Sequence, residues 1–576
     1  MRIVTPVFFQ LILSLAVQAQ STELVIHSSS RLVELSVVAH DKQGRPIQDL
    51  TRDDFVIFDS DKQRDIAVFA VQTAEPGPPP GAPQQGQITL SNRAPRQTEH
   101  PTAATVILFD SLNLGDLDSL LYGQRELLKF LQTLHPGDPV ALYLLAGPQV
   151  RVIHDFTDSI DSLVNAAQRA SGKLPLNGSG AYSGFGLGQF SALSNFLGVS
   201  RLDLSSLERR TTQEWTLSGL EAIANRLEGI PGRKNLVWIT RGVDLTTQMD
   251  ISSFVAAETF GANHELEVYS ARVKRLTSVF NRADVAVYPI DPQGLMTDLD
   301  VVGRPIPTSP IGSNGVSASS GPVGHASSGG AAEPMPQPSS AVPFMETRSA
   351  VNSPNWASMD MFADETGGRA FYNANDMVGS IRRAFEDAKV TYLLGFYVDD
   401  SSWDGKYHKL YVRIRRPGTQ LRARRGYWAS SAREENAEQR EESLHNAASS
   451  PLEATGIGVT LNLESNPLPL GAHDLVIKVD PRDVRFAQRN GRWNADLDVL
   501  FVELTPDGRS LGGQKDQVQC RFSENTYAQT MDLGLFLPRQ IYVAPGGARL
   551  RVVVRDESTG AEGSISVPIR VEKWDR

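Results

Sequence analysis

Long apolar runs alternate with helical spacing through the middle of the chain. Segments 105–109, 140–146, 235–240 and 285–290 lack regular polar alternation, so each predicts a strand covered on both faces. Between them, leucines recur at the spacing of one helix face, as in segment 117–134. Alternating buried strands and amphipathic helices are typical of a parallel sheet with helices on both faces. The pattern therefore predicts an α/β domain over residues 104–390 with a doubly wound, mostly parallel sheet.

Both flanks of this domain show the alternation of half-buried strands instead. Segments 31–40, 55–58 and 66–71 predict an N-terminal β module over residues 20–72. Segments 391–398 and 407–414 flank Asp404 and Gly405, a strong turn pair, and predict a β hairpin extension over 391–430. Because the N-terminal strands and this hairpin both lie outside the α/β pattern, we expect them to pack into one β unit.

Residues 456–576 combine short alternating segments with turn pairs such as Asn490-Gly491 and Asp507-Gly508. No segment there shows helical spacing. This pattern predicts a C-terminal β-sandwich.

Glycine and proline, 47 and 34 residues, are concentrated between these patterns. A Pro/Gly-rich run predicts a linker at 73–103, and a Gly/Ser/Pro-rich stretch predicts a flexible insertion at 301–350. The charged and polar residues 431–455 predict a further linker, either helical or loose. A Gly-rich stretch at 171–200 lacks the spacing of a phosphate-binding loop, and we interpret it as an insertion near the ligand-binding rim.

Residues 1–19 have the pattern of a secretory signal peptide: Arg2, then a nearly continuous apolar stretch, then cleavage near Ala19. The alternative is a buried N-terminal strand or helix. No second apolar segment follows that could span a membrane. The single cysteine, Cys520, excludes a disulfide framework. We therefore expect a secreted or periplasmic protein with no transmembrane segment.

Charge and motifs exclude two classes of function. Lys and Arg number 56 against 66 Asp and Glu, a net charge of −10, whereas a dedicated nucleic-acid binder carries a basic excess. No nucleophile elbow, zinc-protease helix or EF-hand loop occurs, so we predict no catalytic residues and no enzyme.

One basic cluster has two interpretations. It is a stripe that contacts acidic polymers or lipid headgroups, or a solvated strand face paired with carboxylates. Its members are Arg413, Arg415, Arg416, Arg422, Arg424 and Arg425.

Several short motifs occur together in the central region. They are VILFDSLN (106–113), HPGDPVALY (135–143), IPGRKNLVWIT (230–240), VYPIDPQGL (287–295), ADETGGRAFYNANDM (363–377), YLLGFY (392–397) and the run from DGKYHKLYVRIRRPG to RRGYW (404–428). Together they resemble a von Willebrand factor type A domain, in the variant of the VWFA-related exported proteins common in Acidobacteria. The resemblance covers most of residues 30–430, and it implies protein–protein or cell-surface recognition through the face where the strands end.

Type A domains commonly bind a divalent cation through D-x-S-x-S after the first strand, a Thr from a later loop and an Asp after the fourth strand. The resemblance assigns Asp110 to the first Asp and Thr216 to the Thr. Leu112 and Leu114 occupy the two Ser positions, and Arg241 stands where the later Asp would be. The resemblance thus implies a degenerate metal-ion-dependent adhesion site, whose remaining metal ligands would be Asp110 and Thr216.

This region is the candidate ligand-binding face, and no cofactor is expected in it. Two hypotheses describe its centre: Arg241 pairs with Asp110 in place of the metal, or Asp110 orders its own loop. Binding of Mg²⁺ or Mn²⁺ is the alternative, although the Arg241 charge would repel a dication. It would need support from Asp116, Asp118 or Asp244. The residues of the face are Asp110, Ser111, Asn113, Thr216 and Arg241.

We therefore expect an exported binding protein whose partner is a protein or a component of the cell envelope. The alternative is a structural or assembly scaffold of the bacterial cell envelope. In that case the β modules bind partners and the α/β domain acts as a rigid spacer.

Overall fold

The computed structural model describes residues 30–73, 89–93, 104–114, 117–134, 139–171, 201–245, 262–294, 355–399, 403–429, 435–465, 472–506, 508–542 and 548–569 of the chain. The expected signal peptide at 1–19 and the expected insertion at 301–350 lie outside these ranges. So does nearly all of the Gly-rich stretch at 171–200.

The described residues form 22 strands and eight α-helices. The strands are β1 (Ser30–His40), β2 (Phe55–Asp59), β3 (Lys62–Arg64), β4 (Val68–Thr73), β5 (Thr89–Ser91), β6 (Thr105–Asp110), β7 (Val140–Leu145), β8 (Val150–Thr157), β9 (Lys234–Ile239), β10 (Val285–Ile290), β11 (Val390–Asp399), β12 (Tyr407–Ile414), β13 (Gln420–Arg422), β14 (Gly426–Trp428), β15 (Val459–Ser465), β16 (Ala472–Val479), β17 (Ala487–Arg489), β18 (Arg492–Leu504), β19 (Ser510–Phe522), β20 (Leu535–Tyr542), β21 (Arg549–Asp556) and β22 (Glu562–Pro568). The helices are α1 (Leu117–Leu131), α2 (Ile160–Ser171), α3 (Arg201–Leu227), α4 (Ala262–Arg282), α5 (Trp356–Thr366), α6 (Met377–Asp387), α7 (Ala437–Ser449) and α8 (Glu524–Leu533).

Five strands form the central sheet, in the order β8-β7-β6-β9-β10. Strands β6, β7, β9 and β10 run parallel, and β8 lies antiparallel to β7 at one edge. At the other edge, Phe371 extends the sheet by a parallel bridge to Ile290. Every residue of the four parallel strands is buried. This double burial explains why the sequence shows continuous apolar runs there.

Helices cover both faces of the central sheet. Ile107 and Phe109 of β6 point to a core shared with α1, α2 and α6. Val106 and Leu108 point to a second core shared with α3, α4 and α5. Alternate residues of one strand thus serve two cores. The predicted mixed α/β architecture, with parallel strands in its sheet, is confirmed.

The N-terminal strands and the strands after α6 form one β unit, as predicted. Its two sheets have the orders β13-β1-β11-β4 and β14-β12-β2-β3, and they share a core that includes Val37, Ile57 and Phe396. The hairpin predicted around Asp404 and Gly405 is wrong. Because β1 and β4 occupy both edges of β11, β12 pairs instead with β2 and β14 in the other sheet.

Two antiparallel sheets form the C-terminal unit: β20-β16-β15-β5, and β17-β18-β21-β22 with β19 beside β18. Side chains of both sheets, such as Val459 and Val552, share one core. Strand β5 lies within the interval 73–103, which the sequence indicates to be a linker, and pairs with β15. Helix α8 lies in a region without predicted helices. It contains no buried residue, so the apolar stripe that marks a helix in a sequence is missing.

Helix α7 occupies part of the predicted linker at 431–455. Asn436 caps its first turn, and Gln439 completes a reciprocal capping pair. Leu444 and Ala447 pack against Val553 of β21. This part of the interval is therefore helical and belongs to an apolar core.

Candidate functional site

Asp110 ends β6 at the point where the central sheet changes its direction of winding. From β6 the chain moves outward through β7 to β8, and then returns to form β9 and β10 on the other side of β6. At such a switch point the loops diverge and leave a crevice beyond the carboxyl ends of the strands. The loops after β6 and β9 meet here, and they carry Ser111, Asn113, Thr240 and Arg241.

The carboxylate of Asp110 is fully buried and accepts five hydrogen bonds from the described residues. The backbone N–H groups of Leu112 and Asn113 donate to Oδ1 over 3.2 and 3.3 Å. The Asn113 amide, the Trp238 indole and the Thr240 hydroxyl donate to Oδ2 over 2.7, 2.9 and 3.1 Å. Protein groups therefore satisfy the buried carboxylate from both of its oxygens.

The Asn113 side chain bridges the two residues that the resemblance assigns as metal ligands. Its amide nitrogen donates to Asp110 Oδ2 over 2.7 Å and to Thr216 Oγ1 over 2.9 Å. Thr216 lies within α3 rather than in a loop, and its hydroxyl donates to the Thr212 carbonyl over 2.7 Å. A Mg²⁺ ion held by both oxygens would lie about 2.0–2.1 Å from each. The amide group occupies that space, so Asn113 closes the site.

Burial dominates the ionisation of Asp110. Loss of hydration raises its pKa from 3.8 to about 6, although the hydrogen bonds from Asn113, Trp238 and Thr240 act in the opposite direction. At neutral pH the side chain is therefore ionised, the state that accepts all five hydrogen bonds. Because no part of Asp110 is exposed, the carboxylate serves as a fixed structural acceptor.

Arg241 does not take the place of the metal. Its backbone carbonyl accepts the N–H of Asn355 over 3.0 Å, but its guanidinium is not among the described groups that bond the Asp110 carboxylate. The ion-pair hypothesis is therefore wrong, because neutral donors already surround the carboxylate. The backbone N–H groups of Leu112 and Asn113, two and three residues after Asp110, donate to its carboxylate. These hydrogen bonds fit the other hypothesis, in which Asp110 orders its own loop.

Ser111 fixes the same loop to the end of β7. Its hydroxyl and its backbone N–H both donate to the Leu145 carbonyl over 2.9 Å. The two leucines at the family's Ser positions serve the cores instead: Leu114 is 1% exposed in one core, and Leu112 packs against the other. Neither leucine side chain has an oxygen atom that could bind a metal ion.

Two of the three aspartates that could support a metal lie within the described residues. Asp118 is exposed on α1, and Asp116 lies outside the described residues. The backbone carbonyl of Asp244 accepts a hydrogen bond from the Gln213 amide. Within the described ranges, no three His, Cys, Asp or Glu side chains come together as a metal-binding group.

An aromatic rim on this face was not predicted. At the end of β10, Asp291 accepts the Trp356 indole N–H over 3.0 Å. Trp356 stacks on Tyr372 with centroids 4.6 Å apart and an angle of 12°, and the Tyr372 hydroxyl donates to Asp360 over 3.0 Å. The role of Trp238 was also missed, although an indole N–H in a buried strand requires an acceptor. That requirement is the signal that could have found it.

The basic cluster is largely paired within the protein. Arg424 donates to the Glu34 carbonyl over 2.6 Å, and Arg413 lies over the Phe58 ring at 5.6 Å. Three more arginines pair with carboxylates. The pairs are Arg416–Asp49, Arg422–Asp387 and Arg425–Asp364. These contacts favour the interpretation of a strand face paired with carboxylates.

No protein-family model matches the chain, and a search of curated proteins finds no significant match. No helix within the described ranges has both the length and the apolar character required to cross a membrane.

Proposed function

We propose that this chain is an exported binding protein of the von Willebrand factor A type. It would recognise a protein or a cell-surface component through the strand-end face, without a metal ion. Counted from β6, the sheet order including Phe371 is 3-2-1-4-5-6, which is common among doubly wound sheets. The shared core of the two C-terminal sheets supports a β-sandwich there.

The observation that carries the proposal is the Asn113 amide between Asp110 and Thr216. It puts a permanent hydrogen-bond donor where a type A domain would hold a cation. It also fixes the loop after β6 at the place where doubly wound sheets bind ligands. Because a loop fixed in advance loses less conformational freedom on binding, this centre suits a recognition face that works without a metal.

The aromatic rim supplies the contact surface of this proposal. Trp356 and Tyr372 are half-buried, and Asp291 and Asp360 hold their polar atoms in place. Tyr and Trp are enriched among the residues that contribute most to protein interfaces. A rigid aromatic pair next to a closed polar centre therefore favours a partner that docks over this edge of the sheet.

The proposal is tested by affinity capture from cell-envelope extracts, with and without EDTA. Wild type and Tyr542→Ala, which alters an exposed aromatic residue on β20, should retain the same partners under both conditions. Trp356→Ala should lose them. Loss of partners in EDTA would contradict metal-independent recognition, and full retention by Trp356→Ala would exclude this face.

Calorimetry tests the closed centre directly. Titration of wild type with Mn²⁺ should show no saturable binding, because the Asn113 amide already bonds both oxygens. Micromolar binding that Asp110→Ala abolishes would overturn the proposal.

A scaffold of the bacterial cell envelope is the second candidate, and buried contacts between the units favour it. Arg233 is 4% exposed and donates to the Gly367 carbonyl over 2.7 Å and to the Ser36 carbonyl of β1 over 3.4 Å. Such contacts suit a rigid spacer. Here the captured partners should survive Trp356→Ala and depend on the β units, for example on exposed Tyr397 of β11.

A further inference from the structure

Residues 89–93 bind to the C-terminal unit, whose contacting residues lie far along the chain from them. Strand β5 pairs antiparallel with β15, with Leu90 opposite Leu461 and Ser91 opposite Thr460. Leu90 also packs against the C-terminal core. A strand of three residues has few ladder bonds, so backbone pairing alone would hold it weakly. Its side chains must contribute.

Asn92 uses both sides of its amide in this contact. The side chain is 3% exposed, and Nδ2 donates to the carbonyls of Ala454 and Ile457, 2.8 Å each, across 362 and 365 positions of sequence. Its Oδ1 accepts the N–H of Val459 over 2.8 Å. An aspartate could not donate to these carbonyls. An apolar residue would remove the side-chain partner of the Ile457 carbonyl and the Val459 N–H, whereas the Ala454 carbonyl would keep the Ser564 N–H over 2.9 Å. The contact therefore selects an amide side chain.

Arg93 adds a second selective contact beside it. Nε donates to the Thr455 carbonyl over 2.6 Å, Nη2 to the Gly456 carbonyl over 2.7 Å, and Nη1 pairs with Asp483 over 2.6 Å. A Cβ atom on Gly229, at the end of α3, would lie 2.6 Å from the Arg93 Nε, so this glycine leaves room for the guanidinium. The three N–H donors belong to one planar guanidinium group, whereas the single ammonium group of a lysine could not reach all three acceptors in this geometry.

We infer that this edge of the C-terminal unit is a peptide-binding site, and that residues 89–93 are its built-in ligand. The strand-acceptor site consists of residues 454–461 and Asp483. Its ligand is an extended segment with consecutive Asn and Arg residues. The site recognises these two side chains through hydrogen bonds, and the backbone of the segment binds by adding a strand to the sheet. The covalent connection gives the built-in ligand a high effective concentration, so a free peptide must compete with it.

The experiment uses the full chain with residues 89–93 replaced by Gly and Ser, together with a fluorescent peptide of residues 87–95. Fluorescence anisotropy should show saturable binding to this variant and far weaker binding to wild type, whose own segment fills the site. Asn92→Ala in the peptide should weaken binding about tenfold or more, since the Ile457 carbonyl and the Val459 N–H lose their side-chain partner. Asp483→Ala in the acceptor chain should weaken binding of the unchanged peptide.

A second variant keeps the test decisive if the replaced chain does not fold. This variant is the full chain with both Asn92→Ala and Arg93→Ala, which should keep the strand but weaken the built-in ligand. The double variant should bind the unchanged peptide more tightly than the wild-type chain does. Equal affinity for the wild-type and Asn92→Ala peptides would overturn the inference. So would the absence of binding to both variants up to about 1 mM peptide.

Discussion

Glu562 is a buried carboxyl group where β22, α3 and α7 meet, and it is 1% exposed. Ser443 of α7 donates to Oε1 over 2.5 Å, and Asn225 of α3 donates to Oε2 over 3.1 Å. Arg555 Nε lies 3.7 Å from Oε1. Burial raises the pKa of Glu562 from 4.5 to about 7; Arg555 and the Ser443 hydrogen bond oppose this change, and Glu221 adds to it. Glu562 is therefore expected to titrate near neutral pH.

This pKa predicts a loss of stability as the pH rises. Between 4.5 and about 7 the folded chain keeps a proton that the unfolded chain has released, so the free energy of unfolding falls across this range. The folded and unfolded chains differ by about 2.5 in this pKa, and a difference of one is worth about 1.36 kcal/mol, so the free energy of unfolding should fall by about 3 kcal/mol. Glu562→Gln keeps the shape and removes the titration. Asn225 Oδ1, which has no hydrogen-bond partner among the described residues, can accept from the new amide if the Asn225 amide flips.

We therefore expect Glu562→Gln to match wild type near pH 4.5 and to exceed its free energy of unfolding by about 3 kcal/mol near pH 8. Urea unfolding followed by circular dichroism measures this difference at several pH values. Glu438→Gln removes the same charge from an exposed position on α7 and serves as the matched control, with no such trend. A difference between Glu562→Gln and wild type that stays constant with pH, or that grows toward acid pH, would refute the reasoning.

Three further predictions concern the central sheet and its site. Asn113→Ala should lower the free energy of unfolding by about 1–3 kcal/mol in urea, because the buried Asp110 loses its shortest donor; an unchanged midpoint would contradict the bridging role. Trp238→Phe removes an indole donor and leaves a cavity, so the same assay should show a loss of about 2–4 kcal/mol, and a loss below about 1 kcal/mol would count against it. Gly368→Ala should cost about 1–3 kcal/mol, because its Cβ would lie 1.9 Å from a backbone oxygen of β10, whereas Gly147→Ala meets open space. Equal melting temperatures for these two glycine variants would argue against the close approach.

The central sheet could be predicted because each of its elements has a local signal. Double burial of β6, β7, β9 and β10 produces continuous apolar runs, and the helices between them keep one apolar face. The order of the strands, with the first strand central, is one of the common orders of doubly wound sheets. Here local and tertiary preferences agree.

The elements that were missed depend on contacts distant in sequence. The turn at Asp404 and Gly405 favours a hairpin locally, but β11 finds eight paired residues on β1 and six on β4, which leave no edge for β12. Strand β5 stands in a Pro/Gly-rich interval, and its main contacts are 362 or more positions away. Composition cannot indicate such a partner, because the partner is defined only by the fold.

The candidate site shows why the pairing of opposite charges was the wrong guide to its centre. Pairing Arg241 with Asp110 would bury a second charge, whose loss of hydration offsets much of the attraction. An amide, an indole and a hydroxyl satisfy the carboxylate at a smaller cost of burial. Burial raises the pKa of Asp110 to about 6, although the hydrogen bonds from Asn113, Trp238 and Thr240 oppose this rise. The neutral donors account for the closed geometry, and burial accounts for the raised pKa of Asp110. On that basis, the proposed recognition at this face should not respond to chelators.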